Sequence, residues 1–139
     1  MSLFYKFAYA IGFIPWENAA THRPAADQVA ALFDREQSER SRPYGRALDL
    51  GCGTGHWTVD LASRGWPVTG IELVSSALRK ARTRAKDAGV DVQFIQGDVT
   101  ALRAAGIQPG FQFIWDFGTV VCTENLIRVD VARESPNLW

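Results

Sequence analysis

The run Leu48-Asp49-Leu50-Gly51-Cys52-Gly53-Thr54-Gly55 limits what this chain can fold into more than any other stretch. Two leucines around an acid lead straight into a glycine-rich turn. Beyond it, Trp57, Leu61 and Ala62 recur at helical spacing. A short buried strand that breaks at glycine and re-enters as a helix is the first half of a strand–helix–strand unit. Gly51 and Gly53 allow torsions that a Cβ forbids, so a ligand can approach the main chain closely there.

The same alternation continues downstream. The spacing predicts strands over Arg46 to Leu50, Val68 to Ile71 (ending at Glu72), Val92 to Gln96 and Phe111 to Trp115. Between them, the helix that opens at Gly53 to Gly55 closes at Gly65. A second helix, capped by Ser75 or Ser76, turns Leu78, Ala81, Ala85 and Ala88 inward before Gly89 stops it. A short helical turn is expected near Ala101 to Ala104. Upstream, Pro15 and Pro24 bracket an irregular stretch from Trp16 to Arg23. Val29, Leu32 and Phe33 then predict a helix with Asp27 as an early residue and a charged remainder to Arg40, followed by a turn cluster from Ser41 to Gly45. Repeated units of this kind specify an α/β fold, a Rossmann-like parallel sheet with helices on both faces. Right-handed crossovers place the binding loops at the carboxyl ends of the strands, where Asp49, Glu72, Asp98 and Asp116 fall.

At 139 residues the chain supports one domain with one core. Fifteen Lys and Arg balance fifteen Asp and Glu, so no global field selects nucleic acid or an anionic membrane as partner. Arg79, Lys80, Arg82, Arg84 and Lys86 crowd one helix; without interleaved aromatics they read as a solvated outer face rather than an RNA-binding stripe. Cys52 and Cys122 are too few for a disulfide scaffold, and with His22 and His56 they show no metal-ligand spacing. The apolar run from Met1 to Trp16 is interrupted by Lys6 and stopped by Pro15, short of the roughly 20 residues of a membrane span. It shows no cleavage site either. An amphipathic helix from about Leu3 to Ile11, in a cytoplasmic protein without a membrane span, is expected.

Glu72 lies 21 residues beyond Gly51, where a carboxylate can accept both hydroxyls of a ribose. A dinucleotide fingerprint needs glycine where His56 stands. Asp49 would repel a pyrophosphate but suits a ligand carrying an ammonium and a sulfonium. No Gly-Lys-Ser/Thr follows, which excludes a P-loop. The alternative for the glycines is a tight turn without a ligand, and the alternative for Asp98 is a helix cap.

These residues resemble the first motif of the class I S-adenosylmethionine-dependent methyltransferases, which commonly reads close to L-D-L-G-C-G-T-G. Val68-Thr69-Gly70-Ile71-Glu72 is similar to that family's ribose-binding strand, and Gln96-Gly97-Asp98-Val99 to its adenine loop. The likeness covers about Tyr44 to Val120. It implies S-adenosylmethionine as the cofactor, with no metal. Asp49 and Gly51, with Cys52, Gly53 and Gly55, would meet its methionine end, and Glu72 its ribose. Leu73 would pack on the adenine, and Asp98, beside Val99, would accept from the adenine amino group. Trp16 and Asp116 complete the implied set. Phe111 to Gly118 looks like the F-D-x-I-W-D-R-G segment of thiopurine and related thiol methyltransferases. Pro15-Trp16-Glu17 looks like the P-P-W-D entry segment of their bacterial and tellurite-resistance-type relatives. Gln112 and Phe117 depart from that pattern, which has Asp and Arg there.

The resemblance implies in-line methyl transfer to S, O or N of a small-molecule acceptor, with no nucleic acid partner. Phe13, Trp16, Trp115 and Phe117 are candidate aromatic walls for a sulfonium, with core packing as the alternative. Asp116 is the candidate catalytic base or orienting group, with a strand-end cap as the alternative. The family's full sheet has the order 3-2-1-4-5-7-6, whereas this chain ends soon after its fourth strand. Leu126 to Val131 alternates like a strand but does not resemble the family's continuation. A truncated or frame-altered methyltransferase is therefore expected. It would form one unit over 1–139, with a helical lid to residue 40, a core over 45–120 and an atypical tail over 121–139. An exposed edge at the fourth strand would favour a homo-oligomer. Two alternatives remain: a cofactor-binding remnant without turnover that acts as an interaction or oligomerising module, and a nucleotide-dependent oxidoreductase, against which His56 speaks.

Overall fold

A computed structural model describes residues 23–117. The elements are α1 (Arg23–Ser38), β1 (Ala47–Leu50), α2 (His56–Ser63), β2 (Val68–Glu72), α3 (Ser75–Asp87), β3 (Val92–Gln96) and β4 (Phe113–Asp116). All four strands run parallel in the order β3-β2-β1-β4. This is the Rossmann-like α/β arrangement expected from the sequence. β1 is central, with Leu50 opposite Ile71 on one side and Asp116 on the other.

Alternation along β1 divides the core into two layers. Ala47 faces Val29 and Phe33 of α1, Leu61 of α2, and Val68, Phe113 and Trp115 of the neighbouring strands. Phe33 is fully buried and meets the Trp115 ring edge-on at 4.9 Å. Leu48 and Leu50 face the other way, toward Ile71, Leu102, Ile107 and Phe111. Residues 97–112 supply that second layer, and the helical turn expected near Ala101 is a single α-turn closed by Ala105 N–H on Ala101 O at 3.1 Å. With both faces covered, β1 is buried along its whole length. α3 packs against α2, β2 and β3.

Several boundaries differ from expectation for identifiable reasons. α1 starts at Arg23, within the stretch expected to be irregular, because Pro24 falls in the first turn, where its missing N–H forfeits no helical bond; Asp27 is an early residue of that helix, as expected. Neither Ser75 nor Ser76 caps α3; the cap residue is Val74, in an extended conformation and without a side-chain bond. Ala88 is that helix's exposed C-cap rather than an inner-face residue, and Ala77 joins Leu78, Ala81 and Ala85 in the buried row. β4 begins two residues late because Gln112 N–H bonds Arg46 O at 2.8 Å while Phe111 turns into the second core layer. Gly65 and Gly89 follow the ends of α2 and α3 as expected.

The expected helix from Leu3 to Ile11, the aromatics Phe13 and Trp16, Cys122 and the tail over 121–139 lie outside the described residues. Among the described residues β4 pairs with β1 alone. No helix among them is long and apolar enough to cross a membrane.

Candidate functional site

The carboxyl ends of β1 and β2 meet at the glycine turn. Cys52 N–H donates to Ile71 O at 3.0 Å, continuing the sheet one step past β1. Gly55 N–H then folds back onto Cys52 O at 2.9 Å, and Val59 N–H on Gly55 O opens α2. Gly55 is the helix cap with φ +84°, a left-handed conformation that a side chain adopts only under strain. Its missing Cβ also matters for packing, since one placed there would lie 2.9 Å from the Ala81 Cβ of α3.

Two acids are buried beside this turn. Asp49 is 2% exposed, and its Oδ2 accepts from Thr58 Oγ1 of α2 at 2.6 Å. Glu72 is 9% exposed and accepts from two backbone amides at once: Gly53 N–H on Oε2 and Val74 N–H on Oε1, each at 3.0 Å. One carboxylate therefore joins the glycine turn to the start of α3. Its bond to Val74 does at that helix entry what neither serine does. Cys52 lies buried near both acids, and its thiol is pushed well above the ordinary value, first by burial and then by the charges of Asp49 and Glu72. Gly70, opposite Asp49 in the register, leaves room for that sulfur; a Cβ there would come within 3.0 Å of it.

The other expected site residues sit further along the rim. Leu73 is half-buried, and its carbonyl accepts from Gln96 Nε2 at 3.2 Å. Asp98 is exposed, and its Oδ1 accepts from Thr100 N–H and Thr100 Oγ1 at 2.8 and 2.7 Å. It is thus engaged as the cap of the following turn, the alternative weighed from sequence. Val99 packs against the second core layer. Asp116 ends β4 half-buried, level with Leu50. Trp115 points into the α1 layer, where it meets Phe33 and stacks with Phe117 at 5.9 Å. Both rings are core packing here. Trp16 lies outside the described residues.

Two residues of this neighbourhood escape a sequence reading. Thr58 is one of several residues on an amphipathic helix, and only burial and its bond to Asp49 single it out. Arg84 belongs to the basic run whose pattern predicts a solvated face, yet it is half-buried and its Nε donates to Thr54 O at 3.0 Å. Arg79, Lys80, Arg82 and Lys86 are exposed as expected. Among the described residues no group of three or more His, Cys, Asp or Glu could hold a metal ion.

A parallel 3-2-1-4 sheet with a glycine turn after β1 and an acid ending β2 defines a Rossmann-like domain of the nucleoside-cofactor type. Within that class, residues 47–134 match the family described as a methyltransferase domain, and the chain belongs to that family. The chain is 33% identical over 115 residues to the ubiquinone biosynthesis O-methyltransferase of Pseudomonas aeruginosa, covering 82% of this chain and 46% of that one. It is 34% identical over 97 residues to the 23S rRNA (uracil(1939)-C(5))-methyltransferase RlmD of Methylococcus capsulatus, covering 69% and 20%. The chain thus spans less than half the length of either relative. The structure of magnesium protoporphyrin IX methyltransferase from Synechocystis PCC 6803, with bound SAM, aligns with a TM-score of 0.76 over 99% of this chain and 71% of that one. At 15% identity, the fold is what the two share.

Proposed function

We propose that the chain binds S-adenosylmethionine at the glycine turn and directs its methyl group to an S, O or N atom of a small-molecule acceptor. One observation carries the cofactor reading: Glu72 is buried at the end of β2 with its carboxylate held by Gly53 N–H and Val74 N–H. These two amides pre-orient the carboxylate at the end of β2, the position from which an acid accepts from a vicinal diol. The Gly53 amide, which would face a phosphate in a dinucleotide site, donates to Glu72 instead. Asp49 and Glu72, both buried beside the turn, make its interior negative. That field opposes a pyrophosphate and favours a ligand that brings ammonium and hydroxyl donors.

The residues present therefore fit this cofactor, which supplies an electrophilic methyl group on a cationic sulfur. Asp49, oriented by Thr58, would hold the methionine end with the backbone around Gly51, Cys52 and Gly55. Glu72 would hold the ribose, and Leu73, Asp98 and Val99 would border the adenine. Asp116 would orient the acceptor or take its proton. The enzyme's part in such a displacement is to align the nucleophile and keep water away. A small-molecule acceptor is supported by the chain's zero net charge and by the O-methyltransferase likeness, which covers more of both chains than the rRNA enzyme does.

Isothermal titration with S-adenosylhomocysteine tests the cofactor reading, and saturable binding is expected. Absence of binding to a cooperatively folded chain overturns it. Transfer of labelled methyl to a panel of thiols, phenols and amines then separates an enzyme from a cofactor-binding remnant.

A further inference from the structure

We propose that Arg84 is a positioning residue for the glycine turn, a role that rests on the cofactor reading above. It lies in α3, thirty residues beyond the carbonyl it binds, and its Nε donates to Thr54 O at 3.0 Å. The other polar end of that same peptide unit, Gly55 N–H, donates to Cys52 O at 2.9 Å. A peptide unit is planar, so two bonds at its opposite ends fix the tilt of the Thr54–Gly55 plane. That plane sets the direction in which the chain leaves the turn and enters α2. Ala81, one helical turn before Arg84, presses on Gly55 from the same helix. α3 therefore braces the turn by one contact of shape and one of hydrogen bonding.

Among the described residues the four exposed cations of this helix have no such contact, which separates Arg84 from a solvated row. The bond is made by Nε, and that atom's place in the side chain gives a sharp test. Glutamine carries an N–H at the same number of bonds from Cα, without the charge. Lysine keeps the charge but has a methylene at that place. If Arg84 positions the turn, Arg84→Gln binds S-adenosylhomocysteine within about threefold of the native chain, while Arg84→Lys binds about tenfold more weakly. A solvated surface cation would give equal binding in both variants, and an electrostatic role would give the reverse order.

Amide hydrogen exchange in the unliganded chain supplies a second readout. Gly55 N–H should exchange about tenfold faster in Arg84→Lys, return to the native rate in Arg84→Gln, and stay native in the control Arg82→Gln, with β3 amides unmoved throughout. Equal binding in the two Arg84 variants, the reverse order, or a native Gly55 exchange rate in Arg84→Lys overturns the proposal. A native chain that fails to bind S-adenosylhomocysteine sinks the cofactor reading instead, and the exchange data still decide whether Arg84 holds the turn.

Discussion

Glu72→Gln is the substitution that most directly tests how the site is held together. The side chain keeps its shape, but one carboxylate oxygen becomes an amide nitrogen. Both oxygens now accept from backbone N–H groups, Gly53 on Oε2 and Val74 on Oε1. Whichever way the new amide turns, one of those N–H groups faces another donor. Hydrogen bonds to charged groups contribute about 1.5–3 kcal/mol each, and Glu72 is buried enough for water to replace them poorly. The expected loss is about 2 kcal/mol of unfolding free energy with no ligand present. For a chain of this size that corresponds to a fall of roughly 7 °C in the unfolding midpoint. Urea unfolding should show it as a lower midpoint at unchanged slope. Glu72→Asp keeps the charge while shortening the reach, so a comparable loss there assigns the effect to the two amide bonds rather than to charge. A Glu72→Gln chain within about 0.5 kcal/mol of native would refute the clamp.

Cys52 gives a pH dependence whose sign is fixed. The folded chain keeps this thiol protonated well above the ordinary value of 9.0 because burial, then Asp49 and Glu72, oppose the thiolate. The unfolded chain releases the proton near that ordinary value, so stability is complete below about pH 8.5 and falls above it, by up to about 1.4 kcal/mol per pH unit. Unfolding at pH 8 and pH 10 should show this fall in the native chain and a smaller one in Cys52→Ala; equal slopes would contradict it. Gly55→Ala forces a side chain into φ +84° and places its Cβ 2.9 Å from Ala81 Cβ. Left-handed strain of about 1–2 kcal/mol and overpacking of about 1–3 kcal/mol predict a loss of roughly 2–5 kcal/mol in urea unfolding. Adding Ala81→Gly should recover the steric part, and a loss below about 1 kcal/mol would show that the turn yields.

The local chain determined the elements and the place of the candidate site. Strand, glycine turn and helix follow from neighbouring residues, and the distance from Gly51 to Glu72 follows from the length of one crossover, so the sheet and its acidic rim were legible from Leu48 onward. Boundaries were less so: whether Pro24 joins a first helical turn, or where Phe111 leaves the sheet, depends on partners such as Arg46 that sequence proximity does not reveal.

The tertiary fold decided what each polar group is bonded to. Asp98 reads in the sequence as an adenine acceptor or a turn cap, and Thr100 supplies the bonds that engage it as a cap. Arg84 is one of five similar cations along the sequence, and only the packing of α3 against the glycine turn brings its Nε to Thr54. Glu72 reads as a candidate ribose acceptor by position alone, while its hold on Gly53 arises because β1 and β2 lie side by side in parallel register. Hydrophobic period and glycine placement act over a few residues and survive in the sequence. Hydrogen-bond partners 19 or 30 residues apart are chosen by the folded geometry, because a buried polar group must pair with whatever donor or acceptor the packing brings within 3 Å or so.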